Sequence, residues 1–497
     1  MQKTICALLL TIASTSQCIS LDSAEERVKS MPLREKIGQL CVVASIIDEE
    51  RDAAILHTWK TWQPLHTISI ADVEKTIREE YVGGVVFFGR SARPQDLTAR
   101  INHYQSISKI PLLITLDAEV GPGHRLDNAA TPHFPTSMTL AATHDPALTY
   151  QMGREIGRQL GMLGVHVNFA PVVDINSNPK NPVIGMRAFG SDRETVAQFG
   201  IAYMQGLQDS GIIACAKHFP GHGDTSEDSH EELPLLLHSL KQLEERELYP
   251  FRQLIAAGVQ SIMTAHLEIP ALEEQKKLPA SLSRAVVTDL LRQKMGFEGL
   301  IFTDALGMKG VASQFEPGEI ELKALQAGND ILLCPLDAKR AIDRIEAAVY
   351  AGEIAEEEID RKVLKLMRAK ERLAPSQSCD TENLNNEATQ TLRKTLFEKA
   401  MTLVKPGPIL TGKTVVITTD PSLSTFEEHI KKMPFYSWAL AYIANASPSE
   451  PAQITGDLID LADHIVITLS KHSKEMFSSP ESLAEWVHAF KAKGKLV

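Results

Sequence analysis

Eight short runs rich in β-branched and other apolar residues, at 40–44, 82–88, 112–116, 165–169, 212–216, 259–263, 300–303 and 331–333, are what most constrain the fold of this chain. Between them lie stretches such as 146–163, 195–210, 240–257 and 285–294, whose apolar residues recur at helical spacing. A strand that must travel through a helix before the next strand pairs in parallel, because the return helix carries the chain back to the starting edge. Eight such units predict a closed parallel (β/α)₈ TIM barrel rather than an open sheet.

A barrel of this kind collects its chemistry at the C-terminal ends of its strands. Ionisable residues stand at those positions: Asp117 after the third run, Asp174 after the fourth, Lys217 and His218 after the fifth, His266 after the sixth and Asp304 after the seventh. A helical pattern over 355–373 closes a barrel domain expected to cover 21–373. The stretch 374–390, polar and without apolar periodicity in its first part, reads as a linker. Residues 391–497 are expected to form a smaller α/β domain, with strands at 414–418 and 465–469 and helical segments between them. Its last residues, 494–497, resemble the start of a further strand, so the domain is expected to be short or incomplete.

The 497 residues carry a net charge of −12, which leaves no basic excess to neutralise a phosphate backbone and excludes a nucleic-acid binder. A neutral or weakly charged partner fits better. Met1-Gln2-Lys3, an apolar stretch over 5–13 and small polar residues at Ser14–Ser16 have the layout of a signal peptide, taken as 1–20, which predicts export to a periplasmic or extracellular site. Cys18 raises a lipid anchor as an alternative, although Gln17 stands where such sites favour a small residue. No later stretch is apolar for long enough to cross a bilayer, so the mature chain is expected to lack a transmembrane segment. Cys41, Cys215 and Cys334 sit inside strand-like runs and are expected in the core. No CxxC or Cys/His ligand spacing occurs, so structural zinc is not expected, and no residue pattern calls for a cofactor. Nothing in the sequence specifies an oligomeric state.

The densest chemical signal is 217–234, KHFPGHGDTSEDSHEELP, a long glycine-containing stretch after the fifth strand. It reads in three ways: a solvated polar loop, a metal site made by His218, His222 and His230, or an acid/base device. For the last, Asp228 lies two residues from His230, close enough for its carboxylate to orient the imidazole and favour the protonated form. The run GLIFTDALGM at 299–308 delivers Asp304 to the barrel mouth. An aspartate after a strand often caps a helix instead. A retaining glycosidase, however, needs a carboxylate across the anomeric carbon from a proton donor, and Asp304 with His230 supplies that pair.

These runs, together with NPVIGMRAFG at 181–190, resemble glycoside hydrolase family 3, specifically its bacterial β-N-acetylglucosaminidase branch, over about residues 30–372. The resemblance implies Asp304 as the nucleophile, His230 as the acid/base and Asp228 as its partner. It further implies Lys217, His218, Arg187, Asp117 and Arg125 as residues that bind sugar hydroxyls. Pro122 departs from the pattern, standing where the family often carries another arginine, which loosens the alignment at Arg125. Asp174 and His266 are expected only to support their neighbours through hydrogen bonds. The implied partner is a carbohydrate with terminal β-linked N-acetylglucosamine, such as a peptidoglycan fragment. Alternatives that stay open are a β-glucosidase or an N-acetylglucosaminide phosphorylase of the same family, and a non-catalytic glycan-binding protein.

Overall fold

The computed structural model describes residues 23–53, 69–90, 92–127, 130–227, 232–371 and 383–401, together with three later strands. The chain divides into two compact units, Met1–Thr402 and Leu403–Val497.

The first unit is the barrel. Its strands are β1 (Cys41–Ile46), β2 (Gly84–Phe88), β3 (Leu113–Leu116), β4 (Val167–Asn168), β5 (Ile213–Phe219), β6 (Ser261–Thr264), β7 (Leu300–Thr303) and β8 (Leu332–Leu333). All pairings are parallel, in the order β7-β6-β5-β4-β3-β2-β1-β8, with registers such as Val43 beside Val85 and Met263 beside Phe302. A parallel bridge from Phe302 to Ile331 brings the two ends of the sheet together. The eight apolar runs thus correspond one to one with the barrel strands.

Side chains alternate along a strand, and the alternation sorts the core into two layers. Val42, Val86, Leu113, Val167, Ile213, Met263, Phe302 and Leu333, at least one from every strand, pack together as the barrel interior. Their chain neighbours Val43, Val85, Ile114, Ala214, Ile262, Ile301 and Leu332 belong to the outer layer under the helices. Phe169 and Phe302 meet edge to face inside, with ring centroids 5.4 Å apart.

The helices begin where short polar side chains satisfy free backbone N–H groups. Asp145 accepts from Ala147 N–H at the start of Pro146–Leu163, Asp192 from Thr195 N–H at Arg193–Asp209, and Asp337 from Arg340 N–H at Ala338–Tyr350. The first two of these helices pack so closely that a Cβ on Gly206 would lie 2.3 Å from the Tyr150 carbonyl oxygen. The stretch read as one helix over 240–257 runs from Leu240 through a widened turn at Leu243–Glu247 into Leu248–Ala256. Below the strands, Asp330 accepts from Ile301 N–H at 2.8 Å and from Arg292 at 2.7 Å, and pairs with Lys365 at 3.2 Å.

The helix Glu387–Ala400 belongs to the first unit, burying Thr389 and Leu396. The linker read over 374–390 thus overlaps the start of this helix, and its first part, 374–382, lies outside the described residues. In the second unit, β9 (Thr414–Thr418) pairs in parallel with both β10 (Trp438–Tyr442) and β11 (His464–Thr468). The strands expected at 414–418 and 465–469 are present, the second starting one residue earlier. Trp438–Tyr442 corrects the helical reading of the intervening stretch: large residues at 438, 440 and 442 have the two-residue period of a strand.

Three of the cysteines, Cys41, Cys215 and Cys334, are buried free thiols, as expected for core residues. No helix among the described residues is long and apolar enough to cross a membrane.

Candidate active site

The alternation that fills the barrel interior also sets its mouth. Continuing inward-facing positions by two residues leads from Leu113 through Thr115 to Asp117, from Ile213 through Cys215 to Lys217, and from Leu300 through Phe302 to Asp304. Three strands therefore aim an ionisable side chain at the same opening.

Asp117 and Glu119 straddle Lys217, whose Nζ lies 2.8 Å from Asp117 Oδ1 and 2.9 Å from Glu119 Oε1. Arg125 donates to the other oxygen of Asp117 at 3.0 Å. Arg187 grips Glu119 with two parallel bonds, Nε to Oε2 at 3.0 Å and Nη2 to Oε1 at 2.7 Å, and its Nη2 also lies 3.4 Å from His218 Nε2. The segment bearing both carboxylates is pinned from behind. Asn168 bonds both the N–H and the carbonyl of Ala118, at 2.9 and 3.1 Å, and Tyr203 OH donates to the Glu119 carbonyl at 3.0 Å.

Burial works against charge on Asp117, Glu119, Lys217 and Arg187, yet on each of them the opposite charges alongside outweigh it. Lys217 and Arg125 hold the Asp117 carboxyl well below the usual carboxylate range, and Arg187 and Lys217 do the same for Glu119. The two carboxylates in turn raise Lys217. At His124, burial and the Arg125 charge prevail and bring the imidazole down to about 4, so it is neutral at pH 7.

The loops after β4 and β5 interlock. Asp174, fully buried, accepts from the ring Nδ1 of His218 at 2.7 Å and from the backbone N–H of His218 and His222 at 3.2 and 2.7 Å. Asn181 donates to the His222 carbonyl at 2.9 Å and to Thr225 Oγ1 at 3.2 Å, while its own oxygen accepts from Val183 and Ile184 N–H. Asn178 donates to the Thr225 carbonyl and to Ser226 Oγ, both at 3.1 Å. Gly223 is required by this contact, since a Cβ there would sit 1.8 Å from the Ile175 carbonyl oxygen. Further along, Asp224 meets His238 at 2.9 Å and Arg246 at 3.0 Å. Asp228 and His230 lie outside the described residues.

His222 is buried, which pulls its imidazole down to about 4; the nearby Asp304 carboxylate acts in the opposite sense. Its Nδ1 is 2.8 Å from Thr225 Oγ1. Asp304 itself is held by its backbone N–H bond to the Thr264 carbonyl at 2.9 Å, and its Oδ1 accepts from Ala305 N–H at 2.8 Å. Beneath it His266 engages both ring nitrogens, Nδ1 with Ser281 Oγ at 2.7 Å and Nε2 with the Ala305 carbonyl at 3.0 Å. Burial raises the Cys215 and Cys334 thiols, and the Asp117 and Asp304 carboxylates push them further in the same direction.

Five residues picked from the sequence, Asp117, Arg125, Arg187, Lys217 and His218, thus form one connected polar chain, with Asp304 at the same mouth. Glu119 was not among them. Its two-residue spacing from Asp117 was the available signal, but a carboxylate past a strand end reads equally well as a solvated loop residue.

An eight-stranded parallel barrel with several carboxylates among cations at its C-terminal mouth is the frame of a carboxylate-dependent glycosidase. The chain belongs to glycosyl hydrolase family 3, whose N-terminal domain matches residues 32–369. It is 31% identical over 370 residues to β-hexosaminidase A of Pseudoalteromonas piscicida, covering 68% of this chain and 62% of that one. It is 35% identical over 358 residues to the β-hexosaminidase LpqI of Mycobacterium tuberculosis, covering 70% of this chain and 84% of the relative. Among solved structures it resembles a family 3 β-N-acetylglucosaminidase from Paenibacillus sp. str. FPU-7. The TM-score is 0.78 at 32% identity, over 94% of this chain and 89% of the other.

Proposed function

We propose that this chain is a retaining β-N-acetylhexosaminidase that releases terminal β-linked N-acetylglucosamine. The observation that carries the reading is the placement of Asp304, at the end of β7 and in the inward-facing register, beside a polar chain suited to sugar hydroxyls. In the first step Asp304 attacks the anomeric carbon while His230, tuned by Asp228, protonates the leaving oxygen. Water activated by the neutral imidazole then cleaves the glycosyl–aspartate ester. Asp117, Lys217, His218, Arg187 and Arg125 hold the sugar.

The β-hexosaminidase relatives support the substrate class. Peptidoglycan fragments or related glycans are the proposed natural substrates. Export is supported by the leader-like residues 1–20. Water is favoured over phosphate as acceptor because Lys217, Arg187 and Arg125 each already meet a carboxylate.

The test offers aryl β-N-acetylglucosaminide and β-glucoside side by side, then traps the enzyme with a fluorinated sugar and locates the adduct by mass. Preferred turnover of the first and an adduct on Asp304 are expected, with Asp304→Asn losing about a thousandfold or more in kcat. Preference for the glucoside would favour a β-glucosidase, and a label on another residue would overturn the site.

A further inference from the structure

Asp174 and Arg187 each meet one ring nitrogen of His218, and they differ in what they can exchange with it. Asp174, fully buried, takes Nδ1 on its Oδ2 at 2.7 Å, and its Oδ1 accepts the backbone N–H of His218 and His222 at 3.2 and 2.7 Å. Burial opposes a charge on Asp174, yet His218 and His222 hold its carboxyl below the usual carboxylate range. An ionised carboxylate only accepts, so the hydrogen between the two side chains sits on Nδ1. At the other nitrogen, Arg187 Nη2 lies 3.4 Å from Nε2, and a guanidinium only donates. A hydrogen on Nε2 would point at those of Arg187, so this nitrogen presents its lone pair. The hydrogen bonds therefore run in one direction, from Arg187 to His218 to Asp174.

Resting on the reading that His218 holds the sugar, we infer that Asp174 is a positioning residue that makes His218 Nε2 a one-way acceptor, so that a sugar hydroxyl meeting this nitrogen must give it a hydrogen. The carboxylates of the same polar chain are already engaged: each oxygen of Asp117 and of Glu119 meets Lys217, Arg125 or Arg187 at 2.7–3.0 Å. His218 Nε2, with one contact at 3.4 Å, is the least committed acceptor of that chain. A hydroxyl both gives and takes a hydrogen, whereas a fluorine in its place can only take one. A ring held in this direction separates the two, because it rewards the donor alone.

Asp174→Asn keeps the shape of the side chain, and its oxygen can still take the two backbone N–H groups. Its amide then faces Nδ1 and donates, which moves the ring hydrogen to Nε2. Nitrogen-15 NMR of the histidine rings, with His218 assigned by the loss of its signals in His218→Gln, is expected to show a hydrogen on Nδ1 and a bare Nε2 in the wild type, and the reverse in Asp174→Asn. Turnover of an aryl β-N-acetylglucosaminide is then compared with that of analogues fluorinated in turn at C3, C4 and C6. One analogue is expected to lose about tenfold or more in kcat/KM on the wild type and clearly less on Asp174→Asn, whose Nε2–H can meet the fluorine. A purely structural Asp174 would lower Tm and depress every substrate by the same factor, leaving their ratios unchanged. The proposal is overturned by a hydrogen on Nε2 in the wild type, an arm that needs no change at Asp174, or by unchanged ratios in a folded Asp174→Asn. The ring signals require no turnover, so finding them as expected in a chain that cleaves none of the glycosides would remove the glycosidase reading and leave the direction of the ring standing.

Discussion

His166 stands just before β4 and accepts the Ile114 N–H through its Nδ1 at 3.0 Å, so the ring is bound in its neutral form. Burial, with a smaller contribution from Lys370, lowers it to about 4. The unfolded value is about 6.5. Between those limits the folded chain binds fewer protons than the unfolded one, so stability rises with pH across this window and is lost on acidification. His166→Asn keeps an acceptor near the Ile114 N–H and removes the titration. It is expected to reduce the fall in Tm between pH 7 and pH 4.5, by an amount worth up to about 2 kcal/mol; an unchanged fall would show that His166 is protonated without penalty. At this scale, residues on a strand register were legible. Asp117, Lys217 and Asp304 each continue an alternating apolar pattern, so their inward aim follows from counting by two. Glu119, Asn168 and Tyr203 were not, because what fixes them is a partner dozens of residues away.

Among elements, the loops after β4 and β5 are latched to each other by Asn178 and Asn181. Asn181 holds its own loop through Val183 and Ile184, close to Arg187, and holds the other through His222 and Thr225, a few residues before His230. Asn181→Ala would orphan several of these buried groups, at about 1–3 kcal/mol in all. Its activity should fall further than the change in Tm accounts for, with kcat reduced as well as KM raised. A variant with lowered Tm but wild-type kcat would show the latch to be structural only. The helices around the barrel were legible where an aspartate precedes an apolar period, as at Asp145 and Asp192. Contacts from loop to loop carry no period, which is why the Asn178 and Asn181 latch and the Asp224–His238–Arg246 group could not be read in advance. The strand Trp438–Tyr442 was missed because five residues are too few to separate a period of two from one of 3.6.

For the whole barrel, the two ends do different work. The C-terminal end carries the polar chain of the mouth, while Asp330 ties β7, Arg292 and Lys365 together at the opposite end. Asp330→Asn leaves two cations there without a carboxylate and is expected to cost about 3 kcal/mol of stability, read as a lowered midpoint in urea, with kcat and KM unchanged. A kinetic defect in a fully folded variant would contradict this division. The eightfold alternation made the barrel the most legible feature of the chain, since each repeat reinforces the others. Between those ends lies the apolar filling contributed by all eight strands, with Phe169 packed against Phe302 within it. It closes the barrel axis, so a molecule seated among the polar groups above must withdraw through the face by which it came, and its departure competes with the next arrival there.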